Sequence, residues 1–244
     1  RLVNSIPKEV TILDEANLTF LPKSIKNPVE VENERIAHIK DGVALTKFIC
    51  WLKKNVGKIT MTELSAGEKL YSFRAQQENF IDNSFDPIIS YGIHAAINHY
   101  SATPETDIAI EPGNFLLADT GGHYYEGTTD TTRTIVMGSV NDEQKKYFTA
   151  VLRGMLNLGN AKFRYGCTGV NLDYLARGPL WEMGQDFNHG TGHGVGYLLN
   201  VHEGPNSFRW RIIQGDNAVL EEGMITSDEP GYYVENQYGI RHEN

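Results

Sequence analysis

Asp119 and Asp130 are centred on Tyr124-Tyr125, so a hairpin turning there sets two carboxylates opposite each other across antiparallel strands. Facing carboxylates repel, and the arrangement costs stability unless a cation lies between them. Taken alone, the pair reads equally well as decoration of an exposed strand face beside Thr128, Thr129, Thr131 and Thr132. The same arithmetic recurs near the end of the chain, where Glu229 and Glu243 are centred on Asn236 within the turn-like Glu235-Asn236-Gln237. Between the pairs lies His189-Gly190-Thr191-Gly192-His193-Gly194-Val195-Gly196, whose glycines let backbone and imidazole approach a bound ion. An isolated histidine is more often a satisfied structural residue; between two carboxylate pairs, His193 reads as a ligand.

Four carboxylates and one imidazole form a mostly hard-oxygen donor set, suited to Mn²⁺ or Co²⁺ and admitting Zn²⁺ or Fe²⁺. So many anionic donors can hold two divalent ions about 3.5–4 Å apart. A water shared by two such ions loses a proton near neutral pH and becomes a nucleophile, which argues for hydrolysis. The sequence has no phosphate-cradling Gly-x-x-x-x-Gly-Lys loop, no Gly-x-Ser-x-Gly elbow and no dinucleotide fingerprint.

These groups need elements to carry them. Residues 1 to about 28 hold short strand-like pieces such as Val10-Thr11-Ile12-Leu13, broken by Pro7, Pro22 and Pro28, and read as a connector. From Glu34 the pattern turns helical, with Ile36, Ile39 and Val43 on one face and Ala44, Phe48 and Leu52 following at four-residue steps. Thr60 and Glu63 have capping-box spacing and open a second helix running to about Gln77. Strand-like segments follow at 87–90, 95–100, 114–120 and 128–137. Ser139-Val140-Asn141 then caps a long helix whose Phe148, Val151, Leu152, Met155 and Leu158 form an apolar stripe. A further helix is predicted from Val170 to Met183, with Pro179 marking a kink or an early end. After the glycine-rich residues 190–196 the chain returns to strands from about 223 to its end. Helices, sheet, helices, sheet: the order predicts an internally duplicated α+β domain.

With 244 residues, 40% of them hydrophobic, the chain can bury a substantial core in one large domain or two small ones. Its 31 acidic and 22 basic residues give a net charge of -9, and no Lys/Arg run exceeds a pair, which argues against nucleic acid as a partner. A carboxylate-rich metal site contributes to that imbalance, though an acidic solvated surface accounts for it more simply. Cys50 and Cys167 stand in no ligand or redox spacing, so no disulfide framework is expected and a reducing, cytoplasmic setting fits. Cys50, in an apolar helical stretch, reads as a buried small hydrophobe. No apolar run approaches the roughly 18 residues of a membrane span. The opening Arg1-Leu2-Val3-Asn4 is neither a signal peptide nor an initiator methionine, and the sequence reads as a fragment of a longer polypeptide.

Over about residues 30–244 the sequence resembles the Xaa-Pro aminopeptidases, also called aminopeptidase P, of the creatinase/methionine-aminopeptidase superfamily (peptidase family M24) with its pita-bread fold. The resemblance is carried by Asp119-Thr120-Gly121-Gly122-His123-Tyr124, by Gly127-Thr128-Thr129-Asp130-Thr131-Thr132-Arg133-Thr134 and by the His189–Gly196 block quoted above. It continues in Asn200-Val201-His202-Glu203-Gly204-Pro205, in Asp228-Glu229-Pro230-Gly231-Tyr232-Tyr233 and in Gly239-Ile240-Arg241-His242-Glu243-Asn244. The larger cytosolic three-domain branch is the most similar; residues 1–28 would then be the tail of a preceding amino-terminal domain and residues 29–244 the catalytic domain.

By that resemblance Asp119 binds one metal, Asp130 and Glu243 bridge both, His193 binds the second, and Glu229 completes the shell and takes the proton of the attacking water. His202 would hydrogen-bond the scissile carbonyl oxygen, His99 and His189 would line the substrate pocket, and Arg241 would orient the bridging carboxylates or relay protons. The resemblance implies two divalent ions, Mn²⁺ first with Co²⁺ or Zn²⁺ as alternatives, peptide substrates with a penultimate proline, and a homodimer. His38, His94, His123 and His242 are left as structural or surface residues. His242 stands where the family more often has an apolar residue, and strand alternation points it away from the site.

A prolidase shares the ligand set but cleaves Xaa-Pro dipeptides and so needs a cationic group for the free carboxylate. A methionine aminopeptidase fits less well with the 127–134 and 200–205 motifs. A metal-free peptide-binding module of the same fold and a metal-free creatinase would each lack ligands, and here all five are present.

Overall fold

The computed structural model describes residues 3–12, 17–198, 200–215 and 217–244. A short helix α1 (Phe20–Ser24) precedes α2 (Pro28–Asn55) and α3 (Glu63–Arg74). Strands β1 (Phe80–Asn83), β2 (Ile88–Tyr91), β3 (Asn114–Thr120), β4 (Gly122–Tyr124), β5 (Gly127–Thr128) and β6 (Thr131–Met137) follow. Helices α4 (Asp142–Gly159) and α5 (Asp173–Trp181) then lead to β7 (Gly192–His193), β8 (Ser207–Phe208), β9 (Gly231–Val234) and β10 (Tyr238–Arg241). The order is helices, sheet, helices, sheet, as the α+β duplication predicts.

Local chemistry sets the helix starts. Asn27 accepts from the backbone of Val29 and Glu30 while Glu30 reaches back to Asn27, and Pro28 occupies the first turn, so α2 begins six residues before the expected Glu34. The cap of α3 is Thr62 with Ser65, not Thr60 with Glu63; Glu63 is instead buried as the acceptor of Tyr91 N–H, His94 and Tyr100. Asn141 and Gln144 form the capping box of α4 as expected. Pro179 lies inside α5, which ends at Trp181, and the turn before Asp173 is 3₁₀ at Gly169–Asn171.

Strand β3 organises the core because its side chains alternate across the sheet. Leu116 and Ala118 join Phe48, Leu52, Leu70 and Ile135 beneath α2 and α3. Phe115 faces the other way, into a second core with Val151, Leu180, Tyr238 and Ile240 from α4, α5 and the β9–β10 hairpin. Asp119, two alternations on from Phe115, therefore points toward the second half of the molecule.

Several expectations are corrected. Ile36, Ile39 and Val43 lie on the exposed side of α2; its buried stripe runs through Ala37, Asp41, Ala44, Phe48 and Leu52, because Asp41 is drawn inward by a two-pronged pair with Arg74 at 2.7 and 3.1 Å. Segment 95–100 is not a strand: Gly92–Ala96 is 3₁₀ and the chain then turns toward the site. The 128–137 strand breaks at residues 129–130, and around 223–226 there are isolated bridges, Ile25 with Met224 and Gly194 with Thr226. Cys50 is exposed, not buried. Val10 to Ile12 form no strand, and Leu13 lies outside the described residues.

The two hairpins behave differently. In β9–β10 the ladder runs from Tyr238 opposite Val234 to Arg241 opposite Gly231, a register centred on Asn236, whose φ of 58° makes the tight turn. In β3–β6, Asp119 stands opposite Thr132 and not opposite Asp130. The reason is that residues 122–128 leave this sheet for another, in which β4 pairs with β1 on one side and β5 on the other, so Asp130 sits in the break just before β6.

Candidate metal centre

Each site residue is placed by the end of a strand. Asp119 is the penultimate residue of β3, Asp130 precedes β6, His193 ends β7, and Glu229 and Glu243 flank the β9–β10 ladder by two residues on either side. Strand β10 docks on β6 through Thr134, which both donates to the Arg241 carbonyl and accepts its N–H, and Thr132 donates to Glu243 Oε2 at 2.6 Å.

Three sets of donor atoms each converge within 4.8 Å: Asp119, Asp130 and Glu243; His193, Glu229 and Glu243; and Asp130, His193 and His202. Shared members draw all five expected ligands, and His202, into one cluster. It forms the floor of a cavity of about 480 Å³ that His99, His189, His202 and Arg241 also line. Of the remaining histidines, His242 is buried with its ring edge-on to Phe148, on the side of the second core, while His94 pairs with Glu63 and His123 with Thr128.

The electrostatics are those of an anionic nest. Burial raises the pKa of Glu243 well above the ordinary carboxylate value, and Asp130, Glu229 and Asp119 add to it. Burial likewise raises Asp130, with a further push from Asp119, and lifts Glu229 from 4.5 to about 7. For Glu229 the change corresponds to roughly 3 kcal/mol against ionisation. Burial opposes the charged ring of His193, but Asp130 at 3.3 Å and Glu229 at 3.5 Å outweigh it, and its pKa is raised. Arg241 is the cation built into the site: its Nη2 donates to Asp119 Oδ2 at 2.6 Å, and its charge also favours the ionised forms of Asp130 and Glu229.

A divalent cation fits this donor set. The other oxygen, Asp119 Oδ1, is buried with no hydrogen-bond partner. His193 Nδ1 faces the Gly194 carbonyl at 2.9 Å, so the assigned tautomer donates there and leaves Nε2 turned to the carboxylates. Asp130, Glu243 and His193 each belong to two of the three convergent sets, which ties the sets into one donor cluster.

The sequence model of metallopeptidase family M24 matches residues 32–244. The chain belongs to that family. It is 46% identical over 224 residues to a probable Xaa-Pro aminopeptidase P of Paracoccidioides brasiliensis, covering 91% of this chain and 36% of that protein. Among solved structures, the X-prolyl aminopeptidase of Caenorhabditis elegans, described as a cytosolic enzyme with a di-nuclear active site, superposes with a TM-score of 0.88 at 40% identity, over 93% of this chain and 37% of the other. The Xaa-Pro dipeptidase of Bacillus anthracis gives 0.80 at 30% identity, over 94% and 60%. The fold of this M24 chain is thus the pita-bread arrangement of those enzymes, and the chain spans little more than a third of the length of the aminopeptidases it matches.

Around the M24 cluster runs a hydrogen-bond chain that spacing in the sequence does not reveal. Arg241 Nη1 donates to Asn98 Oδ1 and to the Tyr233 hydroxyl, both at 2.8 Å, and that hydroxyl meets His189 Nε2 at 2.9 Å. His189 Nδ1 faces the Gly190 carbonyl at 2.7 Å. Burial and the nearby Arg241 lower the His189 pKa to about 4, so its ring is neutral, with Nδ1–H donating to Gly190 and Nε2 accepting from Tyr233. Asn98 precedes His99 and Tyr233 ends the 228–233 motif, but only contact across the fold gives them a role. Asp228 was also missed: burial and Glu229 raise its pKa to about 8. Arg209 lines the cavity as well.

Proposed function

We propose that this chain is the catalytic domain, residues 29–244, of a metal-dependent Xaa-Pro aminopeptidase, with residues 1–28 the tail of a preceding domain. The observation that carries the reading is the convergence of Asp119, Asp130, His193, Glu229 and Glu243 at the floor of one cavity. The higher identities to proteins named as aminopeptidases than to a dipeptidase favour this specificity over a prolidase.

Asp119, Asp130, Glu243, His193 and Glu229 hold two divalent ions, Mn²⁺ before Co²⁺ or Zn²⁺. When bound, such ions supply Lewis acidity and lower the pKa of water to near neutral. The protein's own groups do the rest. Glu229, at the cluster edge, takes the proton of the attacking water, a task that suits a carboxylate poised near neutral pH. His202, whose ring lies 4.1 Å from that of His193, donates to the oxygen of the scissile carbonyl as it gains charge. Arg241 fixes Asp119 and, through Tyr233, the His189 ring; His99 and His189 bound the space for the substrate.

A bond preceding proline is a tertiary amide without an N–H, so binding must rest on shape and on the carbonyl contacts. The same reading places the protein in the cytosol, as described for the nematode enzyme, and as a homodimer acting on peptides. Among the described residues no helix is long and apolar enough to cross a membrane.

The test compares an Xaa-Pro-Yaa tripeptide, an Xaa-Pro dipeptide and a Met-Ala peptide, using full-length protein with and without Mn²⁺. Release of the first residue from the tripeptide alone, dependent on metal, is the expected result. Cleavage of the dipeptide alone makes the protein a prolidase, and no cleavage despite bound metal makes it a peptide-binding module.

A further inference from the structure

His202 sits on an out-and-back loop that begins one residue after His193. Glu203 N–H donates to the Gly194 carbonyl and Gly194 N–H to the Asn206 carbonyl, both at 2.8 Å, and Gly196 N–H to Asn200 at 2.9 Å. The two limbs are so close that a Cβ on Gly194 would lie 2.0 Å from the Glu203 carbonyl oxygen. Val195 and Pro205 are buried at the two ends of the loop, but His202 itself is exposed, and it must meet a carbonyl oxygen at hydrogen-bond distance.

What holds its outer side is α1 and the residues after it. Lys23 of α1 donates to Glu203 Oε2; Glu203 is buried, is absent from the cavity lining and has no hydrogen-bond partner at Oε1. Lys26 is only 4% exposed, which is rare for an ammonium unless it is paired. Its Nζ donates to the Val195 carbonyl on the outgoing limb and to Ser24. Its backbone N–H donates to the Gly223 carbonyl at 2.9 Å, and Ile25 bridges Met224. The carboxylates of Glu203 and Glu34 both attract its charge.

We propose that Lys23 and Lys26 are positioning residues: through Glu203 and the Val195 carbonyl they clamp loop 194–206 and so hold His202 over the site. By this inference α1, although it precedes the catalytic domain, works as its strap. The inference rests on the reading of His202 as the group that contacts the scissile carbonyl. Lys26, buried and bonded to backbone, carries the larger share; the Lys23 pair is half exposed and screened by solvent.

The test uses full-length, Mn²⁺-loaded protein and two readouts, amide hydrogen exchange in residues 194–206 and the separate values of kcat and KM for an Xaa-Pro-Yaa tripeptide. Lys26→Met and Glu203→Gln are expected to speed exchange in 194–206 by about tenfold while leaving α4 and β3 protected. They are also expected to lower kcat by about tenfold with KM changed less than about twofold, as for an interaction made in the transition state. Lys23→Met does the same more weakly, and Lys23→Arg restores the wild-type values. Wild-type exchange in folded Glu203→Gln and Lys23→Met overturns the clamp, even if Lys26→Met fails to fold; faster exchange with unchanged kcat overturns its catalytic role. A His202→Asn variant with wild-type kcat overturns the reading of His202 and with it that role, while exchange in 194–206 still decides the clamp.

Discussion

The β9–β10 hairpin turns on Asn236 and keeps one register to its end, delivering Glu229 and Glu243 side by side. The β3–β6 hairpin is interrupted by residues 121–130, and its two aspartates arrive from different positions, one on a strand and one in a break. Their charges are handled as unequally as their registers. Asp119 receives Arg241 from the second hairpin at 2.6 Å, whereas the buried Glu243 carboxylate receives the Thr132 hydroxyl from the first, and Arg133 of that hairpin donates to the Glu243 backbone carbonyl instead. One carboxylate is compensated within the protein and the other calls for a cation. Each hairpin also leans on the other for its hydrogen bonds, so neither half of the site is complete alone.

The sharpest way to break this asymmetry is Arg241→Met. It strips Asp119 of its fixed partner, and loss of one member of a buried ion pair costs roughly 3–5 kcal/mol. Urea unfolding of the metal-free protein reads this directly, and an unchanged midpoint would refute the compensation of Asp119 by Arg241. Glu243→Gln acts in the opposite sense: among the described residues it removes a buried carboxylate whose donor is a hydroxyl and not a cation. Metal affinity and kcat/KM are expected to fall by at least about a hundredfold, at or beyond the upper end seen when a group behind a ligand is removed, while the metal-free protein becomes no less stable. Metal content by atomic emission checks the first half; two ions retained at wild-type affinity would remove Glu243 from the set.

Metal removal sharpens the same point through pH. Glu229 has an ordinary pKa of 4.5 that the folded, metal-free site lifts to about 7. Between these values the folded state binds more protons than the unfolded one, so its stability is full below about 4.5 and declines as pH rises through 7. Thermal unfolding of chelator-treated protein should show this decline, and Mn²⁺ at about a hundred times its Kd should restore about 2.7 kcal/mol. The buried, neutral His189 and His242 push the other way below about pH 6.5, so the decline is read from about pH 6.5 to 8, and a stability rising with pH over that range contradicts the anionic nest. The smallest expected effect compares the turns: Asn236→Val places a branched residue at φ 58° and costs about 1–2 kcal/mol, while Tyr125→Ala, at the exposed tip of the first hairpin, is neutral within about 0.5 kcal/mol. Equal effects at the two turns would mean that register does not depend on Asn236.

Much of the site was legible because its residues sit at the ends of strands that announce themselves. Segment 114–120 was predicted with the bounds of β3, and the centre at Asn236 is the centre of the β9–β10 ladder. The centre assigned to the first hairpin missed by one residue in turn position, since nothing local tells that residues 122–124 prefer β1 as a partner. The exposed face of α2 was likewise misread. Ala44, Phe48 and Leu52 of the expected pattern are buried, but Ile36, Ile39 and Val43 are not, because the stripe that wins continues through Ala37 and an Asp41 neutralised by Arg74.

The sequence by itself determined what depends on neighbours a few residues apart: the capping box at Asn141 and Gln144, the alternation along β3 that turns Asp119 away from Leu116 and Ala118, and the order of the carboxylates and the histidine. Spacing, rotamer direction and backbone hydrogen bonding over one turn or one pleat suffice for these. Only the tertiary structure decided which charge meets which: Arg241 with Asp119, Thr132 with Glu243, Tyr233 with His189, Lys26 with the Val195 carbonyl. Most of these partners are more than a hundred residues apart, and what brings them within 3 Å is the packing of two apolar cores on opposite faces of one strand, a sum over many weak contacts that no short stretch of sequence contains.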